Sequence, residues 1–290
     1  MMKKALIILG IIFLLIIAAV AIIPVVFKDE IKTEIDQQLA NSVNADVFFE
    51  DFGVTMFRNF PGLTVYMSDF GISGRGEFEG LPLAAMESFE LEINLLSLVF
   101  GDQIKINGIQ LGSPVIYIKV LENGKANYDI AISDEDTVVT KEESSAAFSI
   151  GIDHWEITNG QIIYDDDPGR IFTKLMGVNH EGSGDFTQDV FDLRTITSID
   201  TATVLFEDTK YMSDKRLEVN MILTISDDYG KYSFKENTIK INDFAFGFDG
   251  FLALIGDELD LDIRYATQDN SFKSLLSIIP GSMFTDYEEI

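Results

Sequence analysis

Across residues 89–95 every second residue is apolar (Phe89, Leu91, Ile93, Leu95) and each one between is polar (Glu90, Glu92, Asn94). Successive side chains of a β-strand point to opposite sides, so this stretch is a strand with one greasy side and one wet side. Similar segments follow one another from residue 45 onward. "VFFEDFGVTMF" and "LTVYMSDFGIS" flank "RNFPG", where Pro61 and Gly62 supply the fixed and the permissive φ of a tight turn. "SFELEINLL", "QIKINGIQL" and "PVIYIKVL" come next, then "ENGKANYDI", read as a turn and a short strand. Further strands are expected at 190–206, 216–226, 230–235, 238–254 and 257–266. In "NSFKSLLSIIPGSMF", Phe272, Leu275, Leu276 and Ile279 have helical spacing before Pro280 and Gly281 stop it. The class is mainly β with few helices, and a long antiparallel sheet is the expected core.

One pair of segments repeats. "SIGIDHWEITNGQII" matches "QIKINGIQLGSPVIY" 46 residues earlier: Ile152 falls on Ile106, Trp155 on Ile109, Ile157 on Leu111 and Ile162 on Ile116. A strand-turn-strand unit used twice is the reading. Between the copies, "AISDEDTVVTKEESSAA" is acidic, Ser-rich and without a period, as expected of a mobile loop.

The N-terminus differs from everything after it. Residues 5–27 carry no charge, and as a helix they would reach roughly 35 Å, enough for a bilayer core of about 30 Å. A signal peptide is the competing reading, with Ala19-Val20-Ala21 as a small-residue cleavage site. Cleavage there would leave Ile22, Ile23, Val25, Val26 and Phe27 as a greasy end, so an uncleaved anchor is expected, with Pro24 bending its last turn. Lysines lie on both sides of the span and give little orientation. One anchor ahead of a large polar-faced body fits export of that body. Behind it, Ile31, Ile35, Leu39 and Val43 stand four apart, the stripe of a short amphipathic helix.

Composition narrows the partners. With 21 basic and 48 acidic residues the formal charge is −27. Nucleic acid is thereby excluded as a partner, because affinity for a polyanion comes mainly from Lys and Arg. There is no cysteine, so no disulfide, thiolate nucleophile or Cys-type zinc site is available. His154 and His180 are the only histidines, each without a ligand at metal spacing. Asp165-Asp166-Asp167-Pro168-Gly169 could attract calcium but has the makings of a hairpin turn. Gly74, Gly76 and Gly80 lack the strand-to-helix setting of a phosphate loop, and no G-x-S-x-G elbow occurs. No cofactor, metal or catalytic residue is assigned, and the chain reads as a non-enzyme.

The anchor, the amphipathic segment and then "FRNFPGLTVYMSDFGISGRGEFEG", "INLLSLVFGDQIKINGIQLGSPVIYI", "GKANYDI" and "ITNGQIIYDDD" resemble the AsmA family of diderm bacteria, in its Bacteroidetes-type form. The resemblance runs over essentially the whole chain and implies kinship with chorein-type, repeating-β-groove proteins. In those, strands form a curved trough whose apolar inner face carries lipid acyl chains through water. It implies an inner-membrane, single-pass protein with a periplasmic body that moves phospholipid to the outer membrane or assists its assembly. Relatives are longer, so the chain is expected to be an N-terminal portion.

The organisation expected is a transmembrane anchor (1–28), an amphipathic helix with a first groove segment (29–130), an acidic loop (131–147) and a second groove segment (148–290). The partners are phospholipid acyl chains and, through residues 5–27, the inner membrane. The candidate groove lining is Phe89, Leu91, Ile93, Leu95, Ile104, Ile106, Ile116 and Ile118. The alternation by itself fits a closed β core equally well. The alternative is therefore a membrane-tethered scaffold or regulator of envelope assembly that conducts no lipid.

Overall fold

The computed structural model describes residues 42–56, 62–100, 105–130, 151–186, 190–226, 230–255, 258–267 and 271–276, with a few single residues besides. The expected membrane anchor at 5–27 lies outside the described residues except for Val26, and so does most of the amphipathic segment, of which Glu30, Lys32, Thr33, Gln37 and Ser42 are helical. Among the described residues no helix is long and apolar enough to cross a membrane. The acidic loop also lies outside them.

The strands are β1 (Ala45–Phe48), β2 (Asp51–Thr55), β3 (Gly62–Gly74), β4 (Pro82–Asn94), β5 (Lys105–Gly112), β6 (Val115–Val120), β7 (Gly151–Ile152) and β8 (His154–Asp166). They continue as β9 (Ile171–Ser183), β10 (Phe191–Phe206), β11 (Thr209–Ile225), β12 (Lys231–Ile241), β13 (Phe244–Ile255) and β14 (Glu258–Thr267). Two short helices, α1 (Leu95–Phe100) and α2 (Phe272–Leu276), and a 3-10 turn at Gly76–Phe78 complete the elements. All the strands join one 14-stranded sheet in the order β1-β3-β4-β5-β8-β9-β10-β11-β12-β13-β14, with β2 on β3, β6 between β4 and β8, and β7 on β5. The ladder of β1 ends on β3 and that of β14 on β13, so the described sheet does not close into a barrel.

The expected antiparallel sheet is corrected at one seam. β5 pairs in parallel with β7 and β8, and β6 pairs in parallel with β8, so the sheet is mixed. The pairs are Ile106 with Ile152, Ile109 with Trp155, Leu111 with Ile157 and Ile116 with Ile162. These are the residues that the internal repeat matched. The two copies lie side by side in one direction, and residues at equivalent places become ladder neighbours.

Three smaller readings also change. Leu95 is not on the strand: Asn94 caps α1, its Oδ1 accepting the Ser97 N–H at 3.0 Å and its carbonyl the Ser97 hydroxyl at 2.8 Å, and the chain turns into helix there. "ENGKANYDI" forms a turn but no strand beyond a single bridge between Val120 and Ala126. Asn127, 1 % exposed, takes the place of a ladder partner: its Oδ1 accepts Lys119 N–H at 2.9 Å and its Nδ2 donates to the Tyr117 carbonyl at 2.6 Å. Finally, the break expected at 236–237 is a bulge inside β12, and the hairpin turn comes later, at Asn242, whose φ is 51°.

Several of the long strands carry such an irregularity near the middle: Asp69, Asn159, Asp214 and Glu236 adopt left-handed backbone, as does Gly177. An extra residue in a strand reverses which later residues point to which side. The apolar pattern reverses with it: β3 runs Leu63, Val65, Met67 and then Phe70, Ile72, while β8 runs Trp155, Ile157 and then Ile162, Tyr164. Ring packing of Phe70 on Phe89, at 5.8 Å between centroids, confirms that Phe70 has joined the side on which Phe89 lies.

Candidate functional site: an apolar sheet face

Residues directly opposite one another in neighbouring strands share a side of the sheet, so the ladder registers sort the side chains. Starting from Phe89, Leu91 and Ile93 on β4, the same side takes Met67, Val65 and Leu63 on β3, and beyond them Phe52 and Val54 on β2. In the other direction it takes Leu111, Ile109 and Ile106 on β5, then Trp155 and Ile157 on β8. Past the bulges, Ala84 leads to Ile116 and Ile162, and from there to Leu175 and Ala202. Farther along the row come Leu217, Ile241 and Phe244, and at the end Leu252 faces Leu261 and Gly250 faces Ile263. One apolar side runs from β2 to β14.

The opposite side carries the charge. Glu90, Gln110, Glu156 and Glu181 form one row across β4, β5, β8 and β9. Glu218 stands opposite Lys240, and Asp249 opposite Arg264. A connected polar cluster lies here: Lys119 Nζ reaches Asp165 at 3.0 Å and Asp167 at 2.6 Å, and the Tyr117 hydroxyl donates to Asp165 at 3.0 Å. Burial works against the Lys119 ammonium, but the hydrogen bonds and charges of the two carboxylates outweigh it and raise its pKa. Burial first, and then Asp165, raises that of Tyr117. Both groups stay protonated at neutral pH, which suits a structural clamp between β6 and the end of β8. The Asp166 carboxylate accepts the Gly169 N–H at 2.9 Å, so the Asp-rich stretch turns the β8–β9 hairpin, as its sequence suggested. Among the described residues no three metal-ligating side chains come together.

No second layer of described residues covers the apolar side. The close strand contacts are all between ladder neighbours. In a sandwich, alternate residues of every inner strand would be buried. Here β4 has no buried residue, and all ten residues of β14 are exposed. The deepest packing on this side is a small cluster of Val178, Ile199 and Ala202, sheltered by Ile162, Leu175, Met212 and Leu217 of the same sheet. At the N-terminal end, Lys32 lies over the Phe49 ring at 4.8 Å and places a helical residue against it.

The candidate lining divides as follows. Phe89, Leu91, Ile93, Ile106, Ile116 and Ile118 lie on the apolar side. Leu95 has left the sheet for α1, and Ile104 lies outside the described residues. Sequence reasoning missed the continuation of the same side across β8 to β14. The signal that could have found it is the jump of apolar positions from odd to even numbers within single strands, which marks each bulge.

The polar groups on this side include Asn237, 2 % exposed opposite Phe248 and accepting the Ile222 N–H at 2.6 Å, and the linked pair of Trp155 and His180. The indole Nε1–H donates to His180 Nε2 at 2.9 Å, and His180 Nδ1 lies 2.8 Å from the Thr197 hydroxyl. With Nε2 accepting, a neutral ring carries its proton on Nδ1 and donates it to Thr197. Burial lowers the His180 pKa and holds that neutral form. Phe186 packs on both Trp155 and Phe191, making an aromatic nest at one margin of the apolar side.

A family model described as AsmA family matches residues 1–247. No curated protein and no solved structure matches the chain.

Proposed function

Because the chain belongs to the AsmA family, matched over residues 1–247, we propose that it is an envelope protein whose apolar sheet face holds phospholipid acyl chains on their way to, or during assembly of, the outer membrane. In this reading the sheet curves into a trough, residues 5–27 anchor it in the inner membrane and the body occupies the periplasm. It is a conduit, not an enzyme. One observation carries the proposal: the registers sort apolar side chains to one side of a 14-stranded sheet and charged ones to the other, without a second layer over the apolar side among the described residues.

Acyl chains left in water cost about 0.8 kcal/mol per CH₂. A carrier must therefore offer apolar surface that continues from strand to strand, while its reverse side keeps it soluble. The alternation of Leu91 with Glu90 and Glu92 answers both requirements in three residues. The test is site-specific photo-cross-linking in the full chain, in cells, with the photoreactive residue at Leu91 or at Glu90. Phospholipid adducts at Leu91 and not at Glu90 are expected. Equal labelling, or none at Leu91, would remove the conduit and leave the tethered scaffold.

A further inference from the structure

The pairing of Trp155 with His180 works in one protonation state only. The indole Nε1–H is a donor and never an acceptor, so the His180 Nε2 that it meets at 2.9 Å must present a lone pair. A proton on that nitrogen sets two donors face to face. The other contact is indifferent to the change: Nδ1 donates to the Thr197 hydroxyl, 2.8 Å away, in the neutral ring and goes on doing so in the cation. Protonation therefore breaks one hydrogen bond and leaves the imidazole tied to β10.

Among the described residues, none of the ladder neighbours of His180 is charged. On its side of the sheet its partners are Ile157 of β8 and Thr197 of β10, and Val178 and Gly182 flank it along β9. The charges nearest in the ladder, Glu156 of β8, Glu181 of β9 and Arg194 of β10, stand on the polar side, as does His154. Asp153 is paired with Lys105 at 3.2 Å, and the Asp185 carboxylate beside Phe186 accepts Gln188 Nε2 at 2.8 Å. The new N–H must turn to water, in the place that the indole holds. Little else fixes that indole. It lies over Gly182, where a Cβ would collide with it, and its printed ring contacts are with Phe186 at 5.9 Å and with His180 itself at 6.3 Å between centroids.

We infer that Trp155 and His180 form a proton-operated latch on the apolar side: uptake of a proton at His180 Nε2 releases the indole, and with it the Phe186 ring packed between Trp155 and Phe191. Burial lowers the His180 pKa, so the latch is closed at neutral pH and opens below about 6.5. Opening rearranges three aromatic rings at one margin of the apolar side. The device goes beyond the lipid reading and stands or falls apart from it, since its test reads the indole and not lipid.

Trp155 is the single tryptophan and His154 the only other histidine, so the chain carries its own reporter and its own control. The experiment takes the full chain in a non-ionic detergent from about pH 7.5 to about pH 5, recording the emission maximum, the quenching of the indole by acrylamide and the far-ultraviolet circular dichroism. The wild type is expected to show a reversible red shift and a loss of protection from acrylamide, with a midpoint below about 6.5 and unchanged dichroism. His180→Gln offers the indole a side-chain carbonyl that does not titrate, so its indole should stay protected across the range. His154→Gln should behave as the wild type does. A wild-type indole equally protected at both ends of the range overturns the inference. So does an acid transition that persists in His180→Gln, that disappears in His154→Gln, or that comes with loss of the strand dichroism.

Discussion

Ile93 sits on β4 between Leu63 of β3 and Ile106 of β5, only partly exposed. Replacing it by Asp removes a side chain whose full burial is worth at most about 3 kcal/mol. Beneath no second layer, the loss comes to about 2 kcal/mol, and the new carboxylate keeps its water and titrates close to its ordinary value. Under a covering layer the same carboxyl would be pushed up by about 3–5 pK units. At about 1.4 kcal/mol per unit, that adds roughly 4–7 kcal/mol at neutral pH. The sign follows from proton binding: a raised folded-state pKa means that the folded chain holds a proton the unfolded chain has lost, so stability falls as pH rises above about 4. The assay is urea unfolding of wild type and Ile93→Asp, followed by emission of Trp155, the single tryptophan, at about pH 5 and pH 8. An uncovered face predicts the same deficit at both. Ala202→Asp is the internal comparison, because Ala202 is 0 % exposed beneath its neighbours, and its deficit should grow with pH. A deficit for Ile93→Asp that grows by more than about 3 kcal/mol between the two conditions would refute the uncovered face.

Three further outcomes follow from single positions. A Cβ on Gly182 would occupy the place of the Trp155 ring, so Gly182→Val should swing the indole off its His180 partner, shift the emission to the red and cost about 2 kcal/mol. Gly250 has φ of 136° and lies against the Asp262 carbonyl of β14, a backbone atom with little room to move. Gly250→Ala should cost roughly 2–3 kcal/mol and speed amide exchange first in β14. Because burial lowers the His180 pKa, its neutral ring contributes stability that is complete above the unfolded value of about 6.5 and is lost as pH falls through the folded value. His180→Gln should flatten that acid-side loss in urea midpoints taken at about pH 7.5 and pH 5.5.

Much of the fold was legible because period-two alternation is a local property. The strands at β3, β10 and β14 fall where their patterns place them. What alternation cannot convey is where a strand bends without ending. At Glu236 a bulge interrupts the alternation as a turn would, so one strand was read as two. At Leu95 the apolar spacing continued in register, but the Asn94 cap had already committed the chain to helix. The candidate lining was legible in β4 to β6, where runs are long. It was illegible across β8 to β12, because each bulge carries the apolar positions from one parity to the other and a fixed period loses them.

The parallel seam was present in the sequence as a repeat but not as a pairing. Similar segments 46 residues apart could have occupied distant parts of a sheet; in the structure they lie adjacent, and Lys119 pairs with Asp165 at that same interval. The left-handed residues Ser113 and Asn159 stand at equivalent places in the two copies, so the parity of both reverses at the same level of the ladder and their apolar positions stay opposite one another on either side of the break. The seam thereby lets one apolar side continue from the first half of the sheet into the second. An extra residue inserted after Thr158 tests this: it would move Gln161 and Ile163 to the apolar side, and the loss of stability should exceed that from the same insertion in the turn at Asn123–Gly124.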